Sequence, residues 1–344
     1  MDSTPSLRER LVRDWYRPRL TPLTSALLPL SWLFGVVTGV RRWLQRSGHS
    51  RSSMLPVPVI VVGNITVGGT GKTPLVAWLV QALRERGRHP GIISRGYGGA
   101  DATARAVADD ADPLQAGDEP VLLVRSGAPV WIGSDRGAAA RGLLAAHPEV
   151  DVIVSDDGLQ HYALARAIEI VVIDGARGFG NGELLPAGPL REPVARIESA
   201  DAVVVNGGGA AAKSLAASSG PKFAMRLAGE RLVSLSDPLR TVAPVALRGQ
   251  RVHAVAGIGN PARFFAALRA LGLDPVCHPF PDHHRYTAQD LALADAETIV
   301  MTDKDAIKCG SLADARMWRL PVTAEVDPGL IELILEKLHG RKTA

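Results

Sequence analysis

Cysteine is nearly absent. The 344 residues hold only Cys277 and Cys309, with no metal-ligand spacing, so neither a disulfide framework nor a structural zinc site organises the chain. No stretch resembles a cleavable secretory signal, which points to a reducing, cytoplasmic setting. Acidic residues are scarce at one end. Residues 1–53 carry nine arginines (8, 10, 13, 17, 19, 41, 42, 46 and 51) against Asp2, Glu9 and Asp14, a net +6. The whole chain is only +4, so the remainder is −2 and the basic excess belongs to this segment. A long unbroken apolar run is also missing. Between Arg19 and Arg41 lie 21 uncharged residues, interrupted by Pro22 and Pro29, a marginal span where about 20 apolar residues are needed to cross a bilayer. Arginines at its edges, with Trp15, Tyr16 and Trp43, suit a segment lying in the headgroups of an anionic leaflet; packing on the protein's own core is the alternative. Basic residues frame an apolar stretch without forming a stripe, so nucleic acid is not the expected partner.

What the chain does have is a phosphate loop. Residues 59–80 read VIVVGNITVGGTGKTPLVAWLV: a β-branched run, a glycine-rich turn, then helical periodicity through Leu75, Leu79 and Leu83. The turn, Thr66, Val67, Gly68, Gly69, Thr70, Gly71, Lys72 and Thr73, follows the pattern G-x-x-x-x-G-K-[ST] except that Thr66 replaces the first glycine. In such a loop backbone N–H groups point at phosphate oxygens, the lysine reaches the β- and γ-phosphates of ATP, and the threonine hydroxyl binds Mg²⁺.

Carboxylates follow at the end of a neighbouring strand. DVIVSDDGLQHYAL ends its apolar run in Asp156 and Asp157, a pair suited to a hard cation held directly or through water. The strand Ile168–Asp174 leads into a Gly/Pro-rich loop, 175–193, too long for a compact domain unless it has a function. It carries Glu183, Arg191 and Glu192. An arginine there could neutralise charge on phosphate and a glutamate could complete a metal shell; a solvated ion pair is the alternative. GIISRGYGG, with Arg95 and Tyr97, and VWIGSDRGAAARGLLAA, with Ser134 or Asp135 as helix cap, complete a strand and helix alternation. This predicts an α/β fold of the phosphate-loop type, a parallel sheet covered by helices on both faces, with ligand at the strands' C-terminal ends.

Around 221–240 the pattern changes. KFAMRL and ERLVSL alternate like two strands of a hairpin linking two lobes. The expected boundaries are 1–53 for the basic segment, 54–220 for the phosphate-loop core, 221–240 for the linker and 241–344 for a smaller α/β lobe. In that lobe TAQDLALA reads as a helix capped by Thr287, and DPGLIELILEKLHG as a final helix. Gly257-Ile-Gly259 lacks the third glycine of a dinucleotide fingerprint and is discounted. Asp282-His283-His284 sits in a Pro-rich loop after a strand, where it can serve as proton acceptor, metal ligand or orienting pair. A nucleotide-dependent switch would need N-K-x-D; Thr302-Asp-Lys304-Asp305 is out of register by one.

Seven motifs, VGNITVGGTGKTP, ISRGYGG, GDEP, SDDGLQH, LLPAGPLREP, FPDHHRY and TDKDAIK, occur in an order that resembles the lipid A 4'-kinase family, the tetraacyldisaccharide 4'-kinases. The resemblance spans nearly the whole chain. It implies a membrane-associated kinase of two α/β lobes that moves the γ-phosphate of ATP, with Mg²⁺, onto a tetraacyl disaccharide 1-phosphate in lipid A synthesis. Its setting would be the cytoplasmic face of the bacterial inner membrane, with a lipid A precursor as substrate and no obligate protein partner. By the same resemblance Lys72 and Thr73 match the phosphate-loop lysine and metal ligand, Asp156 and Asp157 the acidic pair, and Arg191 and Glu192 an active-site Arg-Glu. Asp118 matches the catalytic aspartate and His283 its partner, with His284 one residue away.

Overall fold

The computed structural model describes residues 7–47, 54–96, 103–209 and 220–340; Asp2, Arg51 and Tyr97 lie outside them. Three helices come first: α1 (Leu7–Trp15), α2 (Pro22–Ala26) and α3 (Leu28–Arg46). Thr21 caps α2 in a reciprocal box with Thr24. Then follow β1 (Val59–Gly63), α4 (Lys72–Arg84), β2 (Pro90–Ser94), β3 (Arg105–Ala106), α5 (Pro113–Ala116), α6 (Asp118–Val124), β4 (Val130–Ile132), α7 (Arg136–Ala146), β5 (Val152–Asp156), β6 (Ile168–Asp174), β7 (Ala202–Asn206) and β8 (Lys222–Ala228). Asp135, not Ser134, caps α7, accepting from the Ala138 amide at 3.1 Å.

Among the described residues these strands lie in a nine-stranded sheet ordered β3-β4-β2-β5-β1-β6-β7-β8, closed at the far edge by β15 (Thr323–Val326). From β4 to β8 neighbours are parallel. The apolar β-branched runs have this cause: β1, β2, β5, β6 and β7 are buried along their whole length, so both faces must be hydrophobic. On one face the stripe Leu75, Leu79 and Leu83 of α4 is fully buried. β1 sits mid-sheet, with β2 reached on one side and β6 on the other, so a crevice opens at its C-terminal end.

The second sheet runs β10-β9-β14-β13-β11-β12. Its strands are β9 (Leu232–Ser234), β10 (Thr241–Val242), β11 (Val252–Ala256), β12 (Val276–Pro279), β13 (Thr298–Thr302) and β14 (Met317–Leu320). α8 (Pro261–Ala270) follows β11, and the short α9 (Asp303–Ala306) follows β13.

Three expectations are corrected here. The linker is two-stranded, but it is not a hairpin of 221–240: β8 pairs with β7 and, antiparallel, with β15, while β9 belongs to the other sheet, beside β14 and β10. Alternation along KFAMRL and ERLVSL specifies two half-buried strands and says nothing of which partner each finds. The final helix, α10 (Gly329–His339), leaves the second lobe and buries Leu330, Ile331, Ile334 and Leu338 in the core under α4. Residues 287–294 are turns: the Thr287 amide and hydroxyl both donate to the Asp290 carboxylate, closing a loop where a helix was expected. β14 had no strand assigned from its sequence.

The N-terminal helices dock on the long loop. Trp15 Nε1 donates to the Pro186 carbonyl at 2.9 Å, and Ser31 Oγ bridges the Leu184 carbonyl and the Ala187 amide, each at 2.9 Å. The other side of α3 leaves Trp32, Leu33, Val36, Val37, Val40 and Trp43 at least half exposed. No helix among the described residues is long and apolar enough to cross a membrane.

Candidate active site

The phosphate loop leaves β1 and turns into α4 at Gly71, whose φ is +95°. A side chain there would be strained, and its Cβ would collide with the Asn206 amide, which donates to the Thr70 carbonyl at 2.8 Å. Thr66 raises no such problem. Among the described residues only Asp157 and His283 have positive φ without being glycine, and Thr66 makes an antiparallel bridge with Leu190, so a Cβ fits where the usual pattern has glycine. The loop is sewn to the segment around Arg191: the Val67 amide donates to Pro189 and the Arg191 amide to Ile65. Lys72 Nζ lies 3.2 Å from Asn64 Oδ1 and 3.4 Å from Asp157 Oδ1. Tyr16 reaches the same loop from α1, its hydroxyl donating to the Val67 carbonyl at 3.5 Å beneath the Arg177 guanidinium.

The acidic pair splits into two environments. Asp156 is buried, and its Oδ1 has no hydrogen-bond partner. Burial and the neighbouring Asp157 charge push its carboxyl up to about 7, against the pull of Lys72 and Arg136. Burial also opposes charge on Asp157, but Lys72 and Arg191 outweigh it and hold that carboxyl down to about 2. Arg191 Nη1 sits 3.2 and 3.3 Å from the two Asp157 oxygens. Glu192 does not join them. Gln160 takes its Oε1 at 2.9 Å, and Tyr162 and Arg196 take Oε2. Glu192, expected to complete a metal shell, lines the same cleft with both oxygens on protein donors, and these bonds anchor its loop there. No three His, Cys, Asp or Glu side chains among the described residues form a ready metal cage. Mg²⁺ needs only one or two carboxylates beside phosphate and water oxygens, and the unpartnered oxygen of Asp156, with Thr73 lining the same cleft, fits it.

Across that cleft stands a second constellation. Asp118 opens α6 and is buried; His283, at φ 61°, brings Nδ1 to 3.0 Å from Asp118 Oδ2, although 165 residues separate them. Their charges support one another. The bond from Asp118 raises His283 above its ordinary value in spite of burial; burial resists charge on Asp118, yet His283, Lys308 and Lys304 hold it below its own. His284 turns elsewhere, its Nε2 3.2 Å from Asp290 and its ring stacked on Phe280. Lys72, Asp156, Asp157, Arg191 and His283 all line one cleft of about 2270 Å³, which also reaches Val12 of α1 and Phe34 of α3.

The family model for tetraacyldisaccharide-1-P 4'-kinase matches residues 23–339. The chain belongs to the tetraacyldisaccharide 4'-kinase family. Among its relatives are the tetraacyldisaccharide 4'-kinases of Methylobacillus flagellatus, 53% identical over 95% of each chain, and of Azoarcus sp., 55% identical over 94% of each. A solved structure, described as the "apo" form of LpxK from Aquifex aeolicus in complex with ATP, superposes with a TM-score of 0.74 at 30% identity, covering 92% of this chain and 99% of that one.

Several residues of this 4'-kinase site went unassigned in the sequence. Gln160, Arg136 and Lys304 line the cleft and Asn64 braces Lys72, and Asn64, Gln160 and Lys304 lie inside motifs already singled out. The discounted Gly257-Ile-Gly259 loop proves to be a contact between lobes. A Cβ on Gly259 would sit inside van der Waals distance of the Gly69 amide nitrogen and 3.0 Å from Gly68 Cα. Arg177 donates to the Gly259 carbonyl, and Asn260 Nδ2 to Asp174 at 3.1 Å. A short glycine at close approach leaves no periodic signal.

Proposed function

We propose that this cleft performs the reaction of its family, with each step assigned to residues of this chain. The chain is an ATP-dependent 4'-kinase of lipid A synthesis, acting on a tetraacyl disaccharide 1-phosphate. One observation carries the residue-level reading: His283 lines the cleft that holds the phosphate-loop lysine and is bonded there to the buried Asp118 of the opposite lobe.

Phosphoryl transfer depends on positioning and charge neutralisation more than on covalent help. The amides of Val67–Thr73 and the Lys72 ammonium would cradle the β- and γ-phosphates. Thr73, Asp156 and Asp157 would hold Mg²⁺, which when bound screens the phosphate oxygens. Arg191, now paired with Asp157, is placed to neutralise the charge that develops on the transferred group. As the acceptor 4'-oxygen bonds to the γ-phosphorus and the bridging oxygen departs with ADP, the hydroxyl proton passes to Asp118. His283 orients Asp118 through Nδ1. An aspartate held below its ordinary pKa is ionised and ready to accept.

The exposed apolar side of α3, with Arg41 and Arg42 toward its C-terminal end, supports peripheral binding to an anionic membrane surface at the cytoplasmic face of the inner membrane, where a lipid acceptor resides. Transfer of ³²P from labelled ATP to tetraacyl disaccharide 1-phosphate tests the reading. Incorporation lost in Asp118→Asn but retained with the parent chain supports it; full incorporation by Asp118→Asn removes the proton acceptor.

A further inference from the structure

Lys304 is two residues beyond the strand end of β13, on the second lobe, and its side chain is mostly buried. Its ammonium lies 2.6 Å from Glu119 Oε1, 3.4 Å from Asp282 Oδ1 and 3.5 Å from His283 Nε2. Glu119 follows Asp118 in the first turn of α6, and Asp282 precedes His283. One cation thus joins the chain neighbours of both members of the pair, across the gap between lobes. We propose that Lys304 is the positioning residue that holds Asp118 and His283 in register and fixes which nitrogen of His283 carries the proton. This rests on the reading of Asp118 and His283 given above.

The tautomer argument follows from donor and acceptor counts. An ammonium has three N–H donors and accepts nothing. Facing His283 Nε2, it can only meet a lone pair, so the neutral imidazole must carry its proton on Nδ1. There the proton points at Asp118 Oδ2, the geometry that orients a carboxylate to receive a proton from substrate. Without Lys304, Nε2 protonates at higher pH beside Asp282 and Glu119, and His283 stays an imidazolium locked to Asp118 further into the alkaline range. A carboxylate committed to that ion pair is a weaker acceptor. Among the described residues Asp118, Asp282, Glu119 and Lys304 face His283, and Lys308, bonded to Asp305, lies 4.0 Å from Asp118. Another ion pair across this edge, Arg125 with Asp303 at 3.0 Å, touches neither member, so it can close the lobes without setting the register.

The test compares Lys304→Met and Lys304→Arg with the parent in steady-state transfer, in MgATP binding measured separately, and across pH. For Lys304→Met we expect kcat to fall about 10-fold or more, within the range of a lost acid–base contribution, and the MgATP Kd to change by less than about threefold. Its pH–rate profile should move to higher pH, because both Asp118 and His283 lose a neighbouring positive charge. The imidazole resonances of His283, assigned with His283→Gln, should titrate higher as well. Lys304→Arg keeps the charge and should recover part of kcat with the parent profile. If Lys304→Met folds poorly, Lys304→Gln, which also removes the charge, should show the same upward move of the profile. An unchanged kcat and profile in Lys304→Met, or a loss confined to MgATP affinity, overturns the proposal. Asp118→Asn and His283→Ala run alongside: if both stay active the reading of the pair has failed, whereas if both are inactive and Lys304→Met is normal only this inference has.

Discussion

At the scale of single residues, the site works by pairing charges whose isolated burial would be prohibitive. Lys72 is held by Asn64 and Asp157, and Asp157 by Arg191, so the cation that must meet phosphate is already aimed into the cleft. Lys72→Ala should lower kcat/KM by about 10²-fold or more, roughly 3 kcal/mol, because a γ-phosphate without its cation is neither positioned nor compensated. A folded variant keeping more than half of the parent rate would remove Lys72 from the mechanism. The Asp118 and His283 pair carries a pH signature of definite sign. His283 lies above its unfolded value, so its contribution is complete below that value and is lost as pH rises through the folded one. Asp118 lies below its own, so its contribution is present above the unfolded value and fades as pH falls through the folded one. Between those limits the ion pair is whole. His283→Ala should therefore destabilise the protein more at about pH 6 than at about pH 9, the difference being of order 1 kcal/mol. Denaturant midpoints at the two pH values check this, and equal losses would show that the imidazole is not charged in the pair.

At the scale of elements, what was legible in the sequence was whatever its period dictates. β1, α4, β5, β6 and β7 were readable because a strand buried on both faces must be apolar throughout and a helix on a sheet must repeat its leucines. Thr66 and Asp118 show where that stops: one departs from a pattern without changing backbone conformation, and the other is an unremarkable Gly-Asp-Glu-Pro until His283 arrives from 165 residues away. Strand partnership was the least legible feature, since β8 and β9 look alike in sequence yet join different sheets. α3 is an element with two distinct sides. Ser31 fixes one to the loop 184–187 while Trp32, Val36 and Trp43 project from the other. Replacing those three by serine should leave the docking bonds intact and lower partitioning onto anionic vesicles by about 10-fold or more, as each loses a large share of the roughly 1.5–3 kcal/mol available from burying such a side chain. Co-sedimentation with vesicles measures it; unaltered partitioning would return α3 to a purely structural role.

At the scale of the whole molecule, the described residues of the two lobes touch on either side of the cleft, and the proposed reaction draws on both contacts. On one side Asp118 meets His283, Glu119 meets Lys304 and Arg125 meets Asp303; on the other the Gly259 loop rests on the phosphate loop, held by Arg177 and by Asn260 on Asp174. On the proposed reading the first contact carries the proton acceptor and the second the phosphate cradle, so a shift of one lobe would disturb both ends of the transfer. Gly259 is the point where this can be tested with one methyl group. Its Cβ would meet the backbone of Gly68 and Gly69, which has no rotamer to change, so the lobe must withdraw or the phosphate loop must move. The second lobe's own core, built on Val252, Ala254, Phe264 and Leu268, is not touched by that methyl. Gly259→Ala should therefore melt within a few degrees of the parent while losing about 10-fold or more in kcat, because displacements near 1 Å in a catalytic arrangement carry losses up to about 10²-fold. MgATP affinity should fall with it, since the amides that meet phosphate are the ones displaced. Kinetics and nucleotide titration on the one variant decide the matter: parental kcat and affinity together would mean that the contact between Gly259 and the phosphate loop positions nothing.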